Sequence, residues 1–83
     1  MKTIEEIRKE IDRIDDEVIF LLEKRFDLVS NMEKQKNNLT DMKREEFILN
    51  KTSSKYVKEV YKKIFFQSKK LLFDKITLEE QLK

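Results

Sequence analysis

The chain lacks cysteine, glycine, proline, histidine and tryptophan altogether. Without cysteine it can form no disulfide, and without cysteine or histidine it has neither an ordinary zinc site nor a Ser-His or Cys-His nucleophile pair. Because glycine and proline supply most turns and helix stops, their absence argues against a β-rich or loop-rich fold and against a glycine-rich phosphate loop. An enzyme of this composition has to act through positioning and fixed positive charge.

Long hydrophobic runs are also missing. The longest fully apolar run, residues 18–22, is far shorter than the roughly 20 residues needed to cross a bilayer. The charged, amphipathic N-terminal segment lacks the apolar centre of a signal peptide. Together with the lack of cysteine, these features predict a cytoplasmic protein with no membrane partner.

Neither sign of charge dominates the chain. Nineteen basic and seventeen acidic residues are interleaved and leave a formal net charge of +2. Nucleic-acid-binding proteins usually show a basic face or tail, so we expect no nucleic-acid partner. The feature most similar to a basic patch is a group of four lysines, Lys62, Lys63, Lys69 and Lys70. A solvated helix face explains this group more simply than nucleic-acid binding does.

The first half of the chain carries a long amphipathic pattern. Thr3 and Glu6 form a capping box, and apolar residues then recur at helical spacing, without a breaker, to about Lys36. A helix of about 33 residues is about 50 Å long, more than the diameter of a globule of this size. Because one short chain cannot cover such a helix, we predict a homodimer. The apolar stripe consists of Ile4, Ile7, Ile11, Ile14, Val18, Leu21, Leu28 and Met32.

Two further helices are predicted. A turn-like stretch at residues 37–41 lets Thr40 or Asp41 cap a short second helix, with Phe47 and Ile48 facing inward. The sequence TSS at residues 52–54 then caps a third helix that we expect to fade after Leu78. Its stripe consists of Val57, Tyr61, Ile64, Ser68, Leu71 and Leu72. The fold class is therefore all-α, with a long, a short and a long helix in a single domain over residues 1–83.

Two cations interrupt the apolar stripe of the first helix. Arg25 lies between Leu21 and Leu28, and Lys36 follows eleven residues later on the same face. Their long side chains could both reach one small anion, and Arg8 could reach it only from a facing subunit. Snorkelling to solvent, or pairing with buried carboxylates, is the simpler explanation for either cation alone.

Polar residues on the other two helices have structural explanations as well. Asp41, Arg44 and Glu45 read as a helix cap followed by a solvated charge run. Ser68 interrupts the stripe of the third helix, where a serine commonly hydrogen-bonds to a carbonyl of its own helix.

Taken in order, three segments resemble the all-helical, AroQ-type chorismate mutases. They are IRKEIDRIDDEVIFLLEKRFDLVSNMEKQK, then DMKREEFIL, then YVKEVYKKIFFQSKKL, and the resemblance covers about residues 4–72. It implies three-helix protomers intertwined as a homodimer with two equivalent sites. It also implies conversion of chorismate to prephenate, in phenylalanine and tyrosine biosynthesis, without a cofactor, a metal or a covalent intermediate.

The resemblance also implies a role for individual residues. Arg25 binds one substrate carboxylate, and Arg8 of the partner chain binds another. Lys36 hydrogen-bonds to the ether oxygen of the breaking C–O bond, and Ser68 contacts a carboxylate. The residues implied to contact the ring hydroxyl region are Arg44 and Glu45, with Asp41 nearby.

Two departures from the family pattern keep alternatives open. Leu72 stands where the family usually has Gln or Glu, and the loop between Lys36 and Asp41 is a few residues shorter than usual. Leu72 cannot donate a hydrogen bond to the ether oxygen, so activity could be reduced. One alternative is an inactive helical dimer with a binding or regulatory role. Another is the isochorismate pyruvate-lyase variant of the fold, against which the Arg44-Glu45 pair argues.

Overall fold

The computed structural model describes residues 1–34 and 42–82. Three helices follow one another: α1 (Ile4–Ser30), α2 (Met42–Leu49) and α3 (Lys55–Leu82). These described ranges contain no strand, so the predicted all-α architecture of a long, a short and a long helix is confirmed. None of the helices in them combines the length and apolar composition of a membrane span.

Both long helices begin at the predicted caps. The Thr3 hydroxyl oxygen accepts a hydrogen bond from the Glu6 N–H at 3.2 Å. In the same way, the Ser54 hydroxyl oxygen accepts from the Val57 N–H at 3.3 Å, and the Thr52 hydroxyl oxygen accepts from the Ser54 N–H at 3.1 Å. These side chains satisfy N–H groups in and before the first turns, which have no partner within the helix.

The α-helical part of the first segment ends earlier than predicted. Ser30 is its last residue, and the chain continues as a 3-10 turn over Asn31–Lys34. The Ser30 hydroxyl donates to the Asp27 carbonyl at 2.6 Å. A serine that bonds back to its own helix competes with the regular ladder and favours such tightening. Lys36 and the predicted caps of α2, Thr40 and Asp41, lie outside the described residues.

Two details of the later helices differ from the sequence prediction. α3 extends to Leu82 rather than fading after Leu78, because residues 78–82 contain good helix formers and no breaker. Phe47 was predicted to face inward, but its side chain is 63% exposed and lies under the Lys51 ammonium group. Ile48, in contrast, is half-buried as predicted.

The described chain forms a single thin layer of helices. Its extents are 60 × 28 × 14 Å, and the shortest is close to the roughly 10–12 Å diameter of one helix. The radius of gyration is 16.6 Å, against about 12 Å for a compact domain of this length. Among the described residues, the buried ones are Phe65, Ser68 and Leu72, all on α3.

The apolar stripe of α1 is open to solvent in the single chain. Its large side chains from Ile4 to Leu28 are each between 43% and 69% exposed, and α1 contains no buried residue. Domains are normally built from at least two packed layers. The rest of the described chain therefore does not cover the apolar face of α1.

Candidate active site

A cavity of about 450 Å³ lies where the three helices meet. Its volume is within the roughly 300–1,000 Å³ that small-molecule sites occupy. The C-terminal half of α1, one face of α2 and the middle of α3 form its wall. The wall includes Arg25 and Leu28 from α1, Arg44, Glu45 and Ile48 from α2, and Ser68, Lys69 and Leu72 from α3.

Arg25 crosses from α1 to α3 and is held there by two contacts. Its Nη1 donates a hydrogen bond to the Ser68 Oγ at 2.7 Å, and its guanidinium carbon lies 5.8 Å from the centre of the Phe65 ring. The Ser68 hydroxyl donates in turn to the Ile64 carbonyl at 2.8 Å. The Ser68 hydroxyl thus donates to its own helix and accepts from Arg25. These two hydrogen bonds fix the position of the guanidinium at the cavity wall.

An ion pair joins α2 to α3 at the same wall. Lys69 Nζ lies 2.9 Å from Glu45 Oε2, and the two side chains are 39% and 24% exposed. On the eight-residue α2, Ile48 lies one helical turn after both Arg44 (four residues earlier) and Glu45 (three residues earlier), so the three are on the same side of the helix. That face is the one presented to α3.

Among the described residues of the wall, cations outnumber carboxylates. Arg25, Arg44 and Lys69 contribute three cations, and Glu45 contributes one carboxylate. Among the side chains that the structure describes, no carboxylate forms an ion pair with Arg25. Within the described part of the chain, pairing with a carboxylate therefore does not account for Arg25 on the apolar stripe. A partly buried cation of this kind is stabilised when an anion binds next to it.

A family model described as "Chorismate mutase type II" matches residues 7–72 of the chain. The chain belongs to the type II chorismate mutase family. The match covers all of α2, all but the first turn of α1, and α3 as far as Leu72. No curated protein and no solved structure matches the chain significantly.

Four residues to which the chorismate mutase pattern assigned a role come together in this single chain. Arg25, Arg44, Glu45 and Ser68 all line the cavity.

Of the other three assigned residues, Arg8 does not line the cavity. Arg8 is exposed on α1, 17 residues or about 25 Å along the helix from Arg25. Lys36 and Asp41 lie outside the described residues.

The sequence prediction missed two residues of this cavity, one charged and one aromatic. Lys69 was assigned to a solvated basic face, yet its ammonium group pairs with Glu45 at the cavity wall. Phe65, which supports Arg25, was not placed on the stripe. The spacing contains the signal for both, since Phe65, Lys69 and Leu72 recur at steps of four and three on one face of α3.

Proposed function

We propose that this chain is a chorismate mutase, which converts chorismate to prephenate by an intramolecular Claisen rearrangement. One C–O ether bond breaks, one C–C bond forms, and no atom, electron or proton enters or leaves. Membership of the type II chorismate mutase family supports this reaction class. The reaction requires neither a nucleophile nor a redox group, which fits a chain without cysteine or histidine.

The observation that carries the proposal is the charge of the cavity. The described residues of its wall include three cations and one carboxylate, and a wall with more cations than carboxylates suits chorismate, which carries two carboxylates. Arg25 binds one of them, with Ser68 holding the guanidinium in place. Fixing both ends of a flexible substrate favours its compact, reactive conformer, and this positioning lowers the barrier.

Charge development gives the second part of the mechanism. Negative charge grows on the ether oxygen as the C–O bond breaks, and a preorganised cation stabilises that charge more in the transition state than in the ground state. We assign this role to Lys36 from the family pattern. Leu72 forms the nearby wall with an apolar side chain that is 4% exposed, so it offers no second donor.

We propose that a second copy of the chain packs against the exposed apolar stripe of α1. The exposed stripe runs nearly the whole helix, and a single layer 14 Å thick needs a second layer to form a core. Pairing two copies buries both stripes symmetrically. In such a dimer the partner's Arg8, which is too far along α1 to reach the cavity of its own chain, is available to the other site.

The dimer is tested by placing a charge on the stripe. Ile11→Glu is expected to convert a dimer to a monomer in sedimentation equilibrium and to lower the helicity, because it would bury an unpaired carboxylate at the interface. Lys9→Glu is the matched control, since Lys9 lies on the opposite face of α1 and is exposed. A wild-type chain that sediments as a monomer would contradict the proposal.

A catalytically inactive dimer with a binding role is the second candidate. Leu72 favours it, because an apolar wall next to the ether oxygen lacks the donor that the family pattern usually supplies there. Such a protein would bind chorismate or a similar dianion without converting it.

The test of the proposed function is the conversion of chorismate by the purified chain. We expect loss of chorismate absorbance, with prephenate confirmed as the product by mass spectrometry and by acid conversion to phenylpyruvate. A folded helical dimer that binds chorismate but yields no prephenate would favour the binding role. Formation of pyruvate in place of prephenate would indicate a lyase.

A further inference from the structure

Among the described charged residues that line the cavity, Lys69 is the one to which neither the family resemblance nor the proposed mechanism gives a role. Its ammonium group lies 2.9 Å from the Glu45 carboxylate, and both side chains are at least partly shielded from solvent, at 39% and 24% exposed. The Lys62–Glu59 pair on the same helix is a useful contrast, because it joins residues three apart and its side chains are 58% and 72% exposed. Exposed pairs of that kind stabilise proteins little.

The Lys69–Glu45 pair connects two helices. Glu45 lies on α2 and Lys69 lies on α3. α2 has eight residues, and a helix of that length is not stable on its own. Its orientation therefore depends on contacts with α3, and this ion pair lies at the edge of the cavity.

The pair also affects the charge that a ligand meets. Glu45 places a carboxylate on a wall that, under the proposed function, receives a dianion. Two like charges at short distance in a partly buried site repel each other. The Lys69 ammonium offsets the Glu45 charge, which reduces the repulsion between this carboxylate and a bound dianion.

We propose that Lys69 is a positioning residue of the active site, which holds the Glu45 carboxylate at the cavity wall and compensates its charge next to the bound dianion. This inference rests on the proposed function and extends it to a residue on α3. Lys69 acts through Glu45 in this scheme and does not contact the substrate itself.

The test is a double-mutant cycle on the assembled protein with chorismate as substrate. Lys69→Met is expected to raise KM about tenfold, an effect intermediate between those of exposed and buried ion pairs. It should leave kcat within about threefold, because charge compensation acts on the bound substrate and the transition state alike. Lys69→Arg should restore KM to within about threefold, since arginine also pairs with a carboxylate.

The cycle shows whether Lys69 acts through Glu45 or contacts the substrate directly. In a Glu45→Gln background, Lys69→Met should change KM less than about threefold, because the charge that Lys69 compensates is already absent. Lys70→Met is the matched control, since Lys70 is the next residue and is exposed, and its kinetics should equal those of the wild type. If Lys69→Met does not fold by circular dichroism, Lys69→Gln removes the charge and is read in the same way.

Three results would overturn the inference. They are an unchanged KM in Lys69→Met, an equal effect with and without Glu45, and an effect of the same size in Lys70→Met. If the wild type binds chorismate without turnover, the proposed function fails alone, and the same cycle is decided by calorimetric Kd values for chorismate. If the wild type neither binds nor converts chorismate, both proposals fail.

Discussion

Arg25→Ala is expected to lower kcat/KM for chorismate by about 10²- to 10³-fold, because it removes a charge-assisted contact from a partly desolvated site. Arg25 is fixed by Ser68 and stacked near Phe65, so no reorganisation is needed when the substrate carboxylate arrives. We expect much of the loss in kcat, because a substrate held at one end populates its reactive conformer less often. Initial rates over a range of chorismate concentrations measure both parameters.

The control for this prediction separates a catalytic effect from a general loss of structure. Arg13→Ala removes an exposed guanidinium from the same helix and should leave the rate near that of the wild type. Arg25→Leu should be at least as stable as the wild type, because hydrophobic replacement of a partly buried charge is often neutral or stabilising. Its Ser68 neighbour keeps the hydrogen bond to the Ile64 carbonyl. An Arg25→Ala variant with wild-type kinetics would remove Arg25 from the proposed site.

Mixing two inactive variants tests which chain supplies Arg8 to each site. If each site uses Arg25 from one chain and Arg8 from the other, an Arg8→Ala/Arg25→Ala heterodimer has one intact site and one doubly defective site. After unfolding and refolding a 1:1 mixture, about a quarter of the wild-type activity per chain should return, since half of the dimers are mixed. No recovery, with heterodimers confirmed by mass spectrometry, would place Arg8 outside the site.

The helices and their starts could be predicted from local sequence. Thr3 and Ser54 cap α1 and α3 as predicted because capping depends on a few neighbouring residues. Arg25 stands out for a related reason. A charge within a regular apolar stripe can be seen without knowing that α3 packs against it. The sequence pattern alone therefore identified one residue of the cavity wall.

The misplaced residues depend on how one helix meets another. Phe47 and Ile48 are adjacent, and the sequence alone does not say which of them faces α3 when α2 is short. Lys69 belongs to a run of basic residues, so its charge suggested solvent, whereas its position between Phe65 and Leu72 puts it on the buried side. For Lys69, composition predicts exposure and helical position predicts burial. The residue that decides between them is Glu45, whose carboxylate pairs with Lys69 although it lies 24 residues away in sequence.

Leu72→Gln is expected to raise kcat by up to about 100-fold, because a side-chain amide at this wall donates a second hydrogen bond to the developing oxyanion. Leu72 lies one turn after Ser68 and lines the same cavity, so a glutamine there can point to the bound ether. The measurement is kcat for chorismate, with KM expected to change less, since the donor is most effective in the transition state.

The same change should lower stability. Leu72 is 4% exposed, and replacing it with an amide that has no ligand to bind costs about 1–2 kcal/mol. For a chain of this length that corresponds to a decrease in Tm of about 4–16 °C. The two proteins are compared at one concentration, because the Tm of the proposed dimer depends on concentration. Leu71→Gln is the matched control, because Leu71 is half-buried next to Leu72 but does not line the cavity. A gain in kcat in Leu72→Gln alone would mean that the natural leucine trades catalytic rate for stability, whereas no gain in either variant would mean that the ether oxygen does not lie near Leu72.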